Sequence, residues 1–180
     1  MAIMAGTVAV GLTGRAVAEE LPATAPVNTG ENCAVLVDPV EDGAKMSKTR
    51  DLGCFDTFAE AVAAGTGAPV KEGLTPETFT EADAAPELTT LAIDWNNPRY
   101  RGGSVIYYTS NPFGCFGYFY TFNVVPRPNW SSSTKAFSGC RKNDNYPGIF
   151  LTGLGWRCKP NCATFPAFWN NNTESKQLRR

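Results

Sequence analysis

Ten residues constrain this chain more than any others: Trp95-Asn96-Asn97-Pro98-Arg99-Tyr100-Arg101-Gly102-Gly103-Ser104. Two aromatic residues bracket Asn and Pro, which favour turns, and a double Gly follows, free to take positive φ. The stretch predicts a tight hairpin with Trp95 packed on Tyr100. Ile93 leads in and the run Val105-Ile106-Tyr107-Tyr108 leads out, as strands should.

The stretch has an echo. Arg141-Lys142-Asn143-Asp144-Asn145-Tyr146-Pro147-Gly148 places a Tyr two residues before a Gly, again after Asn and Asp. A Trp segment follows each copy: Trp130-Ser131-Ser132-Ser133-Thr134 and Trp169-Asn170-Asn171-Asn172-Thr173. A repeat of roughly 40 residues points to stacked supersecondary units.

Aromatic, four residues, aromatic, one residue, glycine resembles the first hairpin of a βγ-crystallin Greek-key motif. Residues 95–102 fit throughout; at 141–148 Arg141 stands where the leading aromatic belongs. The Trp segments resemble the late part of such motifs. The region 91–180 is similar to secreted bacterial crystallin-like domains, among them small metalloproteinase inhibitors. The resemblance implies a mostly β chain, with a Greek-key sandwich at the C-terminus and a small strand-plus-helix element before it. It also implies a calcium site built from two Asn/Asp, two further residues, Ser/Thr and Ser. The second copy offers Asn170, Asn171, Glu174 and Ser175 for that role. The first copy, 131–136, lacks Asn and Asp and carries Lys135, so only weak binding is expected; the plain alternative is an Asx-rich turn.

Charge divides the chain near residue 90. Residues 1–90 carry 14 acidic and 5 basic side chains, residues 91–180 carry 3 and 11, and 18 of the 21 aromatics lie in the second half. The change marks a domain boundary. There is no His, which excludes Ser-His-Asp and Cys-His catalysis, HExxH zinc sites and histidine pH switching. The basic half holds only Asp94, Asp144 and Glu174, at spacings that suggest no acid and base pair, so a non-enzymatic protein is expected.

Six cysteines in a chain that reads as exported predict disulfides. Locality pairs Cys33 with Cys54, Cys115 with Cys140 and Cys158 with Cys162. The rival is a zinc site with Cys158 and Cys162 as half of it, for which no second close pair exists.

Residues 1–18 are an apolar run ending in Ala16-Val17-Ala18, small residues that suit signal peptidase, and the run is too short to span a membrane. They read as a signal peptide without its charged start. Residues 19–65 read as a disulfide-linked element: a strand at 34–37, then a short helix with Thr57 and Glu60 as its capping box and Gly65 as its stop. Residues 66–90, rich in Thr, Pro, Glu and Ala, read as an acidic linker. From residue 91, strands are expected at 91–95, 104–109, 116–125, 134–138, 149–152 and 176–179, which make a sandwich or barrel.

Binding candidates follow from the turns. Asn111, Pro112, Phe113 and Gly114 form a loop beside Cys115 with an apolar tip, and Arg99 and Arg101 are expected beside it. A solvated basic face and aromatics spent on the core are the plainer readings of the same residues. The expectation is a secreted, extracellular, monomeric binding module without a membrane span or nucleic-acid partner and with no cofactor beyond that calcium site. Its partner would be a peptidase, which it inhibits, or an anionic cell-wall polymer. The alternatives are a calcium-stabilised envelope or stress protein and a crystallin-fold toxin.

Overall fold

A computed structural model describes residues 31–71, 73–83 and 88–180. The signal peptide expected over 1–18 lies outside them. The chain is mostly β, with nine strands in two sheets and one α-helix among the described residues.

The opening stretch folds as its residues dictate. β3 (Thr89–Asn97) and β4 (Arg101–Thr109) are antiparallel across the Pro98–Tyr100 corner. The Trp95 and Tyr100 rings meet edge to face at 5.3 Å. Gly102 sits at φ 81°, and a Cβ there would strike the Asn96 and Asn97 side chains rather than a ring.

β1 (Asn32–Val37) pairs antiparallel with β2 (Thr49–Phe55) and parallel with β4, so this hairpin extends the same sheet. With β6 (Ser133–Ala136), the first sheet runs β2-β1-β4-β3-β6. The second sheet runs β5-β9-β7-β8, built from β5 (Phe119–Asn123), β7 (Lys142–Tyr146), β8 (Trp156–Cys158) and β9 (Ser175–Arg179). The crossing is reciprocal. β5 leaves the hairpin that precedes it for the second sheet, while the segment at Cys162 returns to the first and bridges Thr134 of β6.

Side-chain alternation along β4 explains why three layers form. Val105 and Tyr107 join Tyr120, Phe122 and Leu178 between the sheets. Ile106 and Tyr108 point the other way, into a core closed by α1 (Phe58–Thr66), Leu74 and Phe79. A strand buried on both faces reads as a continuous apolar run, which is what 105–108 is. The Thr57/Glu60 capping box is present, but the helix runs one residue past Gly65 and is capped by Gly67 at φ 67°. Composition pointed to an acidic linker over 66–90. The described part of it is packed instead, because Leu74 and Phe79 are each under one-tenth exposed against α1.

All three expected disulfides are formed. The strand expected at 149–152 is a short 3-10 turn, Ile149–Leu151, and β7 occupies residues taken for a turn. Its polar residues are buried because they have partners elsewhere: Asn143 Nδ2 donates to Thr134 Oγ1 at 2.9 Å, and Asp144 accepts from Arg157 and Arg179.

The true second copy of the corner is therefore Tyr146 to Gly153, not 141–148. Arg99, Tyr100 and Gly102 have φ of 61°, 60° and 81°; Phe150, Leu151 and Gly153 have 55°, 59° and 86°. One serine clamps each corner. Ser133 Oγ donates to Asn97 O and accepts from Tyr100 N; Ser175 Oγ donates to Gly148 O and accepts from Leu151 N.

Candidate binding face

Among the described residues, three of the four sheet faces are covered: both faces of the first sheet and the inner face of the second. Strand alternation puts Phe119, Gln177, Arg179, Lys142, Asp144 and Arg157 on the outer face of the second. Here the basic half of the chain gathers. Arg141, Lys142, Arg157, Lys159, Pro160 and Arg180 line a depression of about 720 Å³. Asp144, buried on β7, is the carboxylate that two of the surrounding arginines bind. Arg157 donates to it twice, from Nε at 2.5 Å and Nη2 at 3.0 Å, and Arg179 Nη2 donates at 3.1 Å. Those hydrogen bonds, and then the charge of Asp144, raise the Arg157 pKa above its ordinary value. Six cations against one carboxylate leave a strong positive surplus.

The loop before β5 adjoins this surface. Its backbone is closed on itself: Phe113 N donates to Asn111 Oδ1, Gly114 N to Asn111 O, Cys115 N to Ser138 O and Phe116 N to Phe113 O. Gly114 is at φ 54°, and a Cβ would lie 2.4 Å from Ser138 O, so only Gly fits. The fixed loop displays Phe113, Phe116, Tyr118 and Phe119, exposed by 61, 50, 43 and 45%. Three links tie it to the cations. The Arg180 guanidinium lies 4.8 Å from the Phe116 ring centre, Phe119 pairs with Arg179, and Cys115 is bonded to Cys140, next to Arg141.

Of the residues expected at the site, 111–114 are on this face and Arg99 and Arg101 are not. Arg101 begins β4 and Thr109 ends it, so the two groups are separated by roughly 26 Å of strand. The cations beside the loop come from β7, β8 and β9 and from the chain end, which sequence order does not reveal.

The calcium candidates are partly committed elsewhere. Ser175 Oγ is the corner clamp. Asn171 Oδ1 accepts from Ser132, and Glu174 Oε1 accepts from Asn129 Nδ2 at 2.7 Å. Asn170 shows only a backbone bond, to Pro166 O. Glu174 is the carboxylate available to a cation there, with the Asn side chains as neutral donors. No group of three or more His, Cys, Asp or Glu able to hold a metal occurs among the described residues.

A second exposed cluster was not anticipated. Trp156 and Trp169 rings lie 5.1 Å apart, Phe168 and Trp169 4.9 Å, and Trp169 Nε1 donates to Leu154 O.

No protein-family profile and no curated protein matches this sequence. Solved structures similar to it include a βγ-crystallin domain from Clostridium beijerinckii, 19% identical over 49% of this chain and 97% of that one, with a TM-score of 0.38. A clostrillin double mutant in complex with nickel is 18% identical over 51% of this chain and 100% of its own, with a TM-score of 0.40.

Proposed function

We propose that this protein is a secreted, non-catalytic binding module whose aromatic and basic face holds an anionic extracellular partner. One observation carries the reading: the depression lined by Arg141, Lys142, Arg157, Lys159 and Arg180. Cations gathered in a concave site concentrate a polyanion and speed its approach. Three disulfides suit an oxidising compartment, and no described helix is long and apolar enough to cross a membrane. The test is retention on an immobilised polyanion such as polyphosphate or lipoteichoic acid. Wild type should bind at low ionic strength and elute as salt rises, because screening weakens exposed charges. Passage through the column at low salt would refute the reading.

A second reading keeps the peptidase inhibitor. Phe113 is 61% exposed on a loop whose backbone is already ordered, and such a loop loses little entropy on docking. Inhibition assays against secreted metallo- and serine peptidases test it. Phe113→Ala should weaken any inhibition by about 2 kcal/mol or more, and no inhibition at micromolar protein would remove it.

A further inference from the structure

We propose that the anionic partner is a lipid bilayer, entered by Phe113, Phe116 and Phe119 while the surrounding cations hold the headgroups. The inference rests on the anionic-partner reading and names the class of partner.

Four observations carry it. First, the displayed loop is apolar beyond what a soluble polyanion uses. Three of its four exposed aromatics are Phe, without a polar edge, and no charged residue occurs from Gly102 through Pro126. Second, the loop has little polar backbone left to desolvate. The amides of Phe113, Gly114, Cys115 and Phe116 all donate within the protein, Pro112 has none, and Gly114 O accepts from Tyr120 Oη at 3.0 Å. In hydrocarbon, backbone groups must be satisfied internally, and the amides of residues 113–116 at the tip meet that condition while still in water. Third, the charges sit beside the apolar tip rather than on it. Arg180 lies over Phe116, and Arg141, Lys142, Arg157 and Lys159 continue away from it. Apolar tip and basic flank together are the arrangement of an interfacial element that binds anionic lipid. Fourth, Arg179 and Arg157 are braced by Asp144, so the flank is preset. The acidic loop at the other edge of β5, bonded through Val40 N to Phe119 O and carrying Asp38, Glu41 and Asp42, marks where the face ends; Glu41 is paired with Lys48.

The experiment uses the full oxidised chain and three probes: phosphatidylcholine vesicles, mixed phosphatidylcholine and phosphatidylglycerol vesicles, and soluble polyphosphate. Wild type should sediment with the anionic vesicles and not with the neutral ones. Phe113→Ala with Phe116→Ala should weaken vesicle binding by about tenfold or more while polyphosphate binding, which rests on the cations, falls by less than about threefold, with the melting transition of the variant measured to show that it is folded. Independently, a Trp placed by Phe113→Trp should be quenched by brominated lipid beyond the quenching of the native Trp residues. Vesicle binding that survives the double substitution, or absent quenching of the new Trp, overturns insertion. Binding to polyphosphate without binding to anionic vesicles overturns the lipid partner and leaves the anionic reading standing. Binding to none of the probes overturns both.

Discussion

Ser133 and Ser175 do the same work in the two corners, each closing a strained turn with one donated and one accepted bond. Ser175→Ala strands a carbonyl and an amide beside a fully buried position, so it should cost about 1–3 kcal/mol in chemical denaturation; an unchanged midpoint would show that the clamp is idle. The serines also show why only one corner was legible. Tyr100 announces the first by its ring, whereas Leu151 holds the matching position in the second and gives no aromatic signal. Two tyrosines make a prediction about pH. Tyr107 and Tyr108 are buried, and desolvation first, with the charge of Asp94 added at Tyr107, pushes both hydroxyls above their ordinary value of 10. Only the unfolded chain then releases these protons near that pH, so their contribution is intact below about pH 10 and lost above it. Lys176, buried against Asp94 at 2.5 Å, is shifted down by desolvation. Its contribution has the opposite sign, rising with pH up to its ordinary 10.5 and constant beyond. Above that pH the two tyrosines should make stability fall as pH rises, and Tyr100 and Tyr120, whose hydroxyls burial also raises, act in the same direction. Denaturant melts across this range check the slope, and a flat profile would contradict their burial.

At the scale of elements, local chemistry was readable and long-range chemistry was not. The capping box of α1 is a contact between residues three apart, and it stands in the structure. β7 is a strand of Asn and Asp whose partners come from β6, β8 and β9, so nothing in its own five residues distinguishes it from a turn. The loop at 111–114 was legible as a loop because Asn111, Pro112 and Gly114 are turn formers. Its basic neighbours were not, because pairing of β9 with β5 and β7 brings Arg179 and Arg180 there. α1 makes a prediction that runs against propensity. Replacing Gly by Ala in a helix usually gains about 1 kcal/mol. At Gly65 a Cβ would lie 2.1 Å from the Tyr108 ring, so Gly65→Ala should instead destabilise by about 1–3 kcal/mol through overpacking. A raised melting temperature would mean that helix and sheet are not in contact there.

The whole molecule is ordered by which sheet faces are covered. The N-terminal hairpin, α1 and the 74–79 segment complete the first sheet and close its far side. Among the described residues that leaves the outer face of the second sheet uncovered, and it carries the basic side chains. The split of charge between the two halves of the sequence becomes in part a polarity in space, with Asp56, Glu60 and Glu77 around the helix and six cations on the opposite face, while Asp38, Glu41 and Asp42 border that face at the edge of β5. Such a dipole turns the basic face toward an anionic partner during approach. The account depends on that face being the site rather than the β3–β4 corner, where Arg99 and Arg101 sit at the far end of β4. Calorimetric titration with polyphosphate separates the two. Arg141→Glu combined with Lys142→Glu and Lys159→Glu should abolish measurable binding at moderate salt, while Arg99→Glu combined with Arg101→Glu should weaken it far less, since neither residue lines the depression and exposed charges outside it are screened. Binding that survives the first set of substitutions, or falls equally with the second, would contradict the assignment of the basic face of the second sheet as the binding site.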